Sequence, residues 1–484
     1  GVGNANSDHT SLSMDSEKKT KAGPKTPADK PNRGDLKGPL AVILEPTREL
    51  AAQVSDQIEQ FKVFLKDPPI THQLFIGGED YKELAGALKE GVHIVIGTPG
   101  RMMEFIKSGK MDVTSTKFLV LDEADQLISD KGAKDEIMTI YKRMPKEAGM
   151  QVIICSATLH SEEITDLAQQ ITFNPLWVDL KGKDSVPETV DHAVIWVDPA
   201  ADKSWTTGKA PHVTTDGVHL GSEKAGSPDW LSLGAKMIKP QVLVELITAF
   251  KMEQCMIFCR TQVDCDNLEE YLVAQGGGSR FKGKQVDGSG KENVYSCVVL
   301  HGGRDARERK ANIEAFREGD VRFLICTDVA ARGIDIKELP YVINMTLPDK
   351  EELYIHRVGR TGRADAMGVA FSIVSSVKER VWYHQCQRKD RGRGCTNKLL
   401  VADGGCNLWY DEPAMVKLIE KRLGGVQLPL LDRSNLLKNR QHILDAAAKA
   451  RRSGDAVQVE SEKHVQALRP VAEDLTSMET RAQV

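Results

Sequence analysis

The sequence contains short apolar runs, each of which stops abruptly at a small or polar residue. Apolar runs of this length without alternation are typical of strands buried on both faces of a parallel sheet. Between the runs, apolar residues recur at the spacing of one helical face. Alternating strands and helices predict α/β domains with functional residues at the carboxyl ends of the strands. The predicted strands are LAVILEP, HIVIGTP, FLVLDEAD and QVIICSAT, then CMIFCRT, SCVVLHG, RFLICTD and YVINMT.

Length and composition divide the chain into regions. A chain of 484 residues exceeds what one hydrophobic core supports, so we expect more than one domain. With 28% charged residues and no apolar run near the roughly 20 residues that span a bilayer, we expect no membrane partner. The net charge of −4 does not decide about nucleic acid, because a basic groove can lie in an acidic body. We predict a disordered leader or linker over 1–37, a first domain over 38–190, a linker over 191–235, a second domain over 236–380 and a C-terminal extension over 381–484.

The stretch FLVLDEADQL places three acids directly after a predicted buried strand. Asp122, at the strand end, can hold the hydration shell of Mg²⁺, which prefers oxygen ligands and keeps several waters. Glu123 is placed to orient or deprotonate a water that attacks a terminal phosphate. Asp125 is better explained as a hydrogen-bonding bridge to other motifs. The alternative is that these acids only begin a helix, where the helix dipole favours them.

Seven other motifs accompany this stretch in a fixed order: PTRELA at 46–51, GG at 77–78, TPGR at 98–101, SAT at 156–158, IFCRT at 257–261, TDVAARGID at 327–335 and HRVGRTGR at 356–363. Together the motifs resemble those of the DEAD-box RNA helicases, over about residues 38–380. The resemblance implies two RecA-like domains that close over ATP, Mg²⁺ and RNA.

The motif HRVGRTGR supplies the predicted second half of the phosphate site. Arginine is always charged and its forked N–H groups fit phosphate oxygens, so Arg360 and Arg363 look like the groups that stabilise charge on the transferred phosphoryl group. His356 and Arg357 look like couplers that contact the DEAD and SAT segments across the cleft. The alternative is a solvated basic loop. Because the arginines and the acids lie in different domains, we expect hydrolysis to require domain closure.

Four further residues take their roles from the resemblance. Gly333 and Asp335 are implied to approach ATP, with Asp335 on the ribose. Ser156 and Thr158 are implied to tie the nucleotide state to RNA strand separation. The alternative for these two hydroxyl residues is that they satisfy backbone groups at a strand end.

A second group of residues points to RNA. Threonine and arginine at a helix start offer backbone amides and a guanidinium to a phosphate, and glycines permit close backbone approach. Helix caps and tight turns are the alternative roles. Contacts of this kind reach sugar and phosphate, so we expect binding to single strands and duplexes with little sequence specificity. The predicted RNA-binding residues are Pro46, Thr47, Arg48, Gly77, Gly78, Thr98 and Arg101 in the first domain, and Arg260, Arg309 and Thr327 in the second.

No phosphate-binding loop of the form GxxxxGK[ST] occurs in the sequence. The segment GSGK at Gly288–Lys291 is followed by Glu292 and follows no predicted strand, so we do not assign it this role. TLHSEEI, WVDLKGKDSVPETV and the long segment from Trp382 to Tyr410 resemble the DEAD-box subfamily that carries a SPRY domain between the phosphate loop and PTRELA. On this interpretation the chain is a fragment that binds ATP weakly and hydrolyses it poorly. The subfamily implies RNA-processing assemblies, including the tRNA-splicing ligase complex, in nucleus and cytoplasm.

Four potential zinc ligands gather after the second predicted domain: His384, Cys386, Cys395 and Cys406. A Cys₃His structural site is chemically reasonable. Their spacing matches no compact zinc-finger pattern, and the alternative is reduced thiols in an irregular hairpin with neighbouring Trp and Tyr residues as its core. Zinc is therefore an open prediction.

Three functions are compatible with the sequence. The leading hypothesis is an ATP-dependent RNA helicase that separates strands locally. The first alternative is a nucleotide-independent RNA-binding or scaffold protein, and the second is a helicase that acts on DNA or RNA:DNA hybrids. Stimulation of ATP hydrolysis by RNA or DNA distinguishes the first hypothesis from the last.

Overall fold

The computed structural model describes residues 36–65, 69–129, 131–145, 149–178, 190–207, 213–278, 292–331, 336, 339–361, 368–383 and 395–436. Within these ranges the chain forms two parallel sheets and one antiparallel strand pair. Helices flank both parallel sheets, which confirms the predicted α/β class with two RecA-like domains. The predicted leader lies almost wholly outside the described residues.

The first sheet contains four of the predicted strands and one more. Its strands are β1 (Ala41–Leu44), β2 (His72–Phe75), β3 (Ile94–Gly97), β4 (Phe118–Leu121) and β5 (Gln151–Ile154). All pairings are parallel, in the order β2-β3-β1-β4-β5. The helices are α1 (Arg48–Lys62), α2 (Tyr81–Glu90), α3 (Pro99–Lys107), α4 (Ala124–Ser129), α5 (Lys131–Arg143) and α6 (Glu162–Ile171). Val42, Val95 and Leu119 on the central strands are fully buried, as continuous apolar runs predict.

The second sheet has the strand order β6-β11-β10-β7-β9-β8, again all parallel. Its strands are β6 (Val190–Val197), β7 (Cys255–Phe258), β8 (Cys297–Leu300), β9 (Phe323–Cys326), β10 (Tyr341–Asn344) and β11 (Gly368–Ser375). The helices are α7 (Pro228–Phe250), α8 (Gln262–Gln275), α9 (Ala306–Arg317), α10 (Asp328–Ala331) and α11 (Glu351–Val358).

The predicted linker over 191–235 is wrong at both ends. β6 pairs with β11 over all eight residues and forms an edge of the second sheet. At the other end α7 begins at Pro228, where the Ser227 side chain accepts a hydrogen bond from the Trp230 amide. Asp191 and His192 interrupt the apolar pattern of β6, so the sequence did not indicate a strand there.

The C-terminal extension, as far as residue 436, packs on the second domain. It contains β12 (Glu379–Trp382), β13 (Asn407–Tyr410) and α12 (Glu412–Arg422). Met415 and Ile419 of α12 share a hydrophobic cluster with Val194 and Tyr354. Over this part of the chain the predicted extension therefore packs on the second domain, and its first strand begins at Glu379, two residues before the predicted boundary. No helix in the described ranges is long and apolar enough to cross a membrane.

Candidate functional site

Two of the predicted residue groups share the carboxyl edge of the first sheet. Leu44 pairs with both Gly97 and Leu121, so the residues that follow β1, β3 and β4 leave the sheet side by side. The strand order places the residues assigned to RNA after β2, β3 and β1. It places the DEAD and SAT segments after β4 and β5. The two groups therefore occupy adjacent halves of one edge.

The RNA half of this edge is built from a helix cap and a close approach. The Thr47 hydroxyl accepts a hydrogen bond from the Leu50 amide and so begins α1. The Arg48 guanidinium lies against Gly77, where a Cβ atom would come within 2.6 Å of an Arg48 nitrogen. Gly78 has a φ of +106°, a conformation that favours glycine. The local structure therefore requires glycine at both positions. The absence of a Cβ atom at Gly77 lets the Arg48 side chain lie close to the loop backbone.

Thr98 and Arg101 repeat this arrangement after β3. Thr98 occupies the N-cap position of α3, and its side chain makes no capping hydrogen bond. Arg101 donates to the Glu104 carboxylate at 2.6 Å and to the Glu79 carbonyl oxygen at 2.8 Å. Its guanidinium carbon lies 5.1 Å from the centroid of the Phe105 ring. Arg101 is thus held beside the loop that follows the paired glycines.

The DEAD acids sit on a tight turn from strand to helix. The Asp122 amide donates to the Leu44 carbonyl oxygen at 3.1 Å, and one Asp122 carboxylate oxygen accepts from the Glu123 amide at 2.9 Å. Glu123 has a φ of +42°, an uncommon conformation for a residue other than glycine. Gln126, one turn later, donates its side-chain amide to the Glu123 carboxylate. The turn fixes both carboxylates at the sheet edge.

A contact between the two domains joins the DEAD and SAT segments to α11. Asp125 accepts a hydrogen bond from the Ser156 hydroxyl at 2.9 Å. The Ser156 oxygen lies 3.3 Å from the Thr158 hydroxyl and accepts from the Thr158 amide at 3.0 Å. From the second domain, the Nε2 atom of His356 lies 3.9 Å from the other Asp125 carboxylate oxygen. The structure therefore brings together four of the five residues assigned to interdomain coupling.

A second contact between the domains lies on the RNA side. Arg309 of α9 forms an ion pair with Glu49 of α1 at 2.8 Å, and their side chains are 16% and 26% exposed. Glu49 is adjacent to Arg48 in the PTRELA motif. Arg309, assigned to RNA from the sequence, therefore contacts a carboxylate of the first domain in this closed arrangement.

The prediction that Arg357 contacts the first domain is wrong. Its side chain is 2% exposed and lies inside the second domain. Four N–H groups have second-domain acceptors: two donate to the Asp328 carboxylate, one to the Asn344 side chain and one to the Thr346 carbonyl oxygen. A guanidinium has five donors, so this network leaves little capacity for a partner across the cleft.

Arg260 and Thr327 follow neighbouring strands of the second sheet. The Cys259 amide donates to the Cys326 carbonyl oxygen, so the ends of β7 and β9 lie side by side. Thr327 is 8% exposed and precedes the short helix α10. The Arg260 side chain is 10% exposed and bonds with Asp349. Both residues lie at the carboxyl edge, but neither is displayed openly to solvent.

Several predicted site residues lie outside the described residues: Arg363, Gly333, Asp335, His384 and Cys386. Arg360 is described and follows α11, with its amide donating to the Arg357 carbonyl oxygen at 3.3 Å.

The two described cysteines of the predicted zinc site lie in an apolar cluster. Cys395 and Cys406 pack with Val218 and Trp382, and they are 6% and 0% exposed. Within the described ranges, no group of three His, Cys, Asp or Glu residues could hold a metal ion. The cluster agrees with the alternative of buried thiols in the core of a hairpin.

Glu45 was missed by the sequence analysis. It directly follows β1 and is fully buried, and neither carboxylate oxygen has a hydrogen-bond partner among the described residues. Burial, together with the neighbouring charges of Asp122 and Glu123, raises the pKa of Glu45 from 4.5 to about 8. An acid at the end of the LAVIL run was the available signal, because Asp122 ends its own strand in the same way.

Comparison with known proteins identifies the family. Residues 19–167 match the DEAD/DEAH box helicase family, and residues 238–365 match the helicase conserved C-terminal domain. The chain is 45% identical over 460 residues to the ATP-dependent RNA helicase DDX1 of Xenopus laevis, covering 92% of this chain and 59% of that protein. It is 42% identical over 327 residues to the ATP-dependent RNA helicase Ddx1 of Drosophila virilis, covering 62% of this chain and 75% of that relative. This chain belongs to the DEAD/DEAH-box family of ATP-dependent RNA helicases.

The fold of this DEAD-box chain is similar to that of a solved family structure. S. cerevisiae Dbp5 bound to RNA and ADP BeF3 matches with a TM-score of 0.59 and 23% identity, over 86% of this chain and 83% of that chain. The DEAD-box chain spans 59% of the length of its Xenopus relative and 50% of its Dictyostelium discoideum relative.

At the acidic edge of the DEAD-box chain, no group of three described side chains could bind a metal ion directly, so a cation would be held there through water. Asp122 and Glu123 lie close enough to the buried Glu45 to raise its pKa, and neither Glu45 carboxylate oxygen has a hydrogen-bond partner among the described residues. Oxygen ligands of this kind suit Mg²⁺, which accompanies ATP in phosphoryl-transfer sites. In such a site Asp122 would hold the cation through water.

Proposed function

We propose that this chain is the helicase region of an ATP-dependent RNA helicase, in which ATP hydrolysis is coupled to local separation of RNA strands. One observation carries the proposal: the Asp125 carboxylate is shared between Ser156 of its own domain and His356 of the other. The DEAD motif, the SAT motif and the arginine-rich motif therefore meet at one carboxylate. The curated relatives are ATP-dependent RNA helicases by name, which supports the same function.

The proposed chemistry divides the phosphate site between the domains. A bound Mg²⁺ would neutralise charge on the phosphate oxygens. Asp122 would hold the hydration shell of the cation, and Glu123 would orient the attacking water. Arg360 and Arg363 stabilise the charge that develops on the transferred phosphoryl group. By resemblance to the family, Gly333 and Asp335 of the second domain would contact ATP, with Asp335 on the ribose.

Domain closure would link hydrolysis to RNA. The His356–Asp125 contact lies on the nucleotide side of the edge, and the Arg309–Glu49 pair lies on the RNA side. Both contacts join the same two domains, so one closing motion makes both. An ATP-bound clamp of this kind would hold RNA through sugar and phosphate contacts, with little sequence specificity.

RNA is the proposed partner of this chain. The solved Dbp5 structure is bound to RNA by its title, and the fold of this chain is similar. We propose single-stranded and duplex RNA as substrates, with RNA:DNA hybrids as a second substrate class. By resemblance to the SPRY-containing subfamily, we propose work in RNA-processing assemblies, including the tRNA-splicing ligase complex, in nucleus and cytoplasm.

We further propose that the chain binds ATP weakly by itself. It contains no GxxxxGK[ST] segment. A groove of about 1030 Å³ runs beside β5, which in the described part of the chain pairs only with β4. Ile153 on β5 is 37% exposed, and Phe173, Leu176 and Trp177 along the groove are 98%, 79% and 44% exposed. Such an open apolar edge suits a further strand, whose carboxyl end would lie beside that of β5, one strand away from Asp122.

RNA-stimulated ATP hydrolysis tests the proposed function. The full-length gene product is expected to hydrolyse ATP faster with RNA than with DNA of the same length, and Glu123→Gln is expected to abolish the stimulation. Equal stimulation by DNA would favour the alternative of a helicase for DNA or hybrids. Absence of hydrolysis with retained RNA binding would favour a nucleotide-independent RNA-binding or scaffold protein, which the missing phosphate loop keeps as the second candidate.

Zinc stays a separate prediction. His384 and Cys386 lie outside the described residues, and Cys395 and Cys406 pack in an apolar cluster. Metal analysis of purified protein tests the site, and less than stoichiometric zinc would contradict it.

A further inference from the structure

Arg260 is held by residues from two different parts of the second domain. Its guanidinium donates to the Asp349 carboxylate and to the Leu347 carbonyl oxygen, both in the loop between β10 and α11. The guanidinium carbon also lies 3.5 Å from the centroid of the Tyr410 ring, which belongs to the C-terminal extension. At this distance the cation and the aromatic face attract each other. The extension therefore supplies a wall for a residue of the candidate RNA surface.

Tyr410 fixes the loop as well as the guanidinium. Its hydroxyl oxygen lies 2.5 Å from the Pro348 carbonyl oxygen and 3.2 Å from that of Leu347, so the O–H group donates to this loop. Two residues further, the Glu412 carboxylate accepts from the Leu347 amide at 3.1 Å and pairs with the buried Lys239 at 2.7 Å. The loop that carries Asp349 is thus anchored to the extension at consecutive residues.

The two partners of the Arg260–Asp349 pair differ sharply in exposure. The Arg260 side chain is 10% exposed, whereas the Asp349 side chain is 66% exposed. The Arg260 guanidinium is therefore covered by the Tyr410 ring, and the Asp349 carboxylate that balances its charge lies at the surface. A carboxylate and a phosphate present similar acceptor oxygens to a guanidinium. A nucleic-acid phosphate could take the position of Asp349 without any movement of Arg260.

We propose that Tyr410 is a positioning residue for a phosphate subsite at Arg260, and that Asp349 occupies this subsite until an RNA phosphate replaces it. The inference rests on the proposed RNA-binding function, and it adds that Asp349 competes with RNA for Arg260. Arg260 follows β7 at the carboxyl edge, next to Thr327 after β9, which is also assigned to RNA. The C-terminal extension is then a functional part of the RNA surface.

Binding of a fluorescent oligouridine to the whole chain, followed by anisotropy at low salt, tests the competition. Asp349→Asn removes the competing charge, so its dissociation constant is expected to fall about threefold, the range of a partly exposed ion pair. The matched control is Asp320→Asn, which changes the net charge equally. Asp320 is exposed and precedes β9, at the opposite edge of the sheet from Arg260. In an Arg260→Gln background, the gain from Asp349→Asn is expected to disappear.

A second pair of variants tests the positioning role. Tyr410→Phe keeps the ring and is expected to bind RNA nearly as the unchanged chain does. Tyr410→Leu removes the aromatic face and is expected to weaken binding about threefold or more, with circular dichroism confirming that both variants fold. Equal affinities for these two variants, or an Asp349→Asn affinity no higher than that of Asp320→Asn, would overturn the inference while the unchanged chain still bound RNA. Failure of the unchanged chain to bind RNA would overturn the proposed function as well.

Discussion

Replacing Glu45 by glutamine tests whether the buried Glu45 carboxyl group destabilises the first domain as the pH rises. The Glu45 carboxyl is fully buried beside Asp122 and Glu123, and its pKa is raised from 4.5 to about 8, first by burial and then by these two charges. The folded protein therefore keeps a proton that the unfolded chain releases above about pH 4.5. Since the folded state binds more protons in this window, the free energy of unfolding falls as the pH rises from 4.5 to 8.

The shift sets the size of the effect. Each pKa unit corresponds to about 1.4 kcal/mol. At pH 5 the pH lies only slightly above the unfolded value of 4.5, so Glu45 destabilises the fold by less than about 1 kcal/mol. At pH 7 the loss reaches on the order of 3 kcal/mol, and it stops growing above the folded value of about 8. Glutamine cannot ionise, so Glu45→Gln is expected to stabilise the first domain by these amounts.

Hydrogen exchange measured by mass spectrometry suits this test, because a two-domain protein need not unfold in a single step. Peptides that contain β1 and β4 are compared between pH 5 and pH 8, with chelator and without nucleotide, after correction for intrinsic exchange rates. Glu83→Gln is the matched control, since Glu83 is exposed in the first turn of α2. Equal protection of Glu45→Gln and the unchanged chain at pH 7 and pH 8 would refute the reasoning.

Three further predictions concern other contacts. Ser156→Ala combined with Thr158→Ala removes the hydroxyls beside Asp125. The full-length protein with both changes is expected to keep RNA-stimulated ATP hydrolysis and to lose duplex unwinding. Equal loss of both activities would contradict this. Glu49→Gln is expected to raise the RNA concentration needed for half-maximal stimulation about two- to fivefold, because it breaks the ion pair with Arg309 across the cleft; an unchanged RNA concentration would contradict this. Arg357→Lys keeps the charge but cannot reproduce four hydrogen bonds, so denaturant unfolding is expected to show a loss of about 3 kcal/mol in the second domain; a change below about 1 kcal/mol would contradict the buried network.

The sequence predicted most of the fold because the buried strands are short, continuous and apolar. Each of the eight predicted strands is present, with helices between them as the apolar spacing predicted. Three strands of the parallel sheets were not predicted, namely β2, β6 and β11. Of these, β6 is an edge strand with polar residues, which periodicity does not distinguish from an irregular segment. The packing of α12 on the second domain was also not predictable. Amphipathic spacing shows that one face of a helix is buried, but it does not show which surface covers that face.

The sequence predicted those parts of the site in which a motif directly follows a strand. Strand ends brought Asp125, Ser156 and His356 together as the motif order implied. The pairing of Arg309 with Glu49 was not predictable, because it depends on the relative placement of two domains. Tyr410 and its contact with Arg260 join segments 150 residues apart, and no local pattern carries that information.

The most direct test of the account is a double-mutant cycle across the cleft. Asp125 of the first domain and His356 of the second are expected to act together when the domains close. RNA-stimulated ATP hydrolysis is measured for Asp125→Asn, His356→Gln and the double variant of the full-length protein. The account predicts that each single change lowers the RNA-stimulated rate about tenfold or more and that the double variant is no slower than the worse single variant. Single losses that multiply in the double variant would show independent action and contradict the claim.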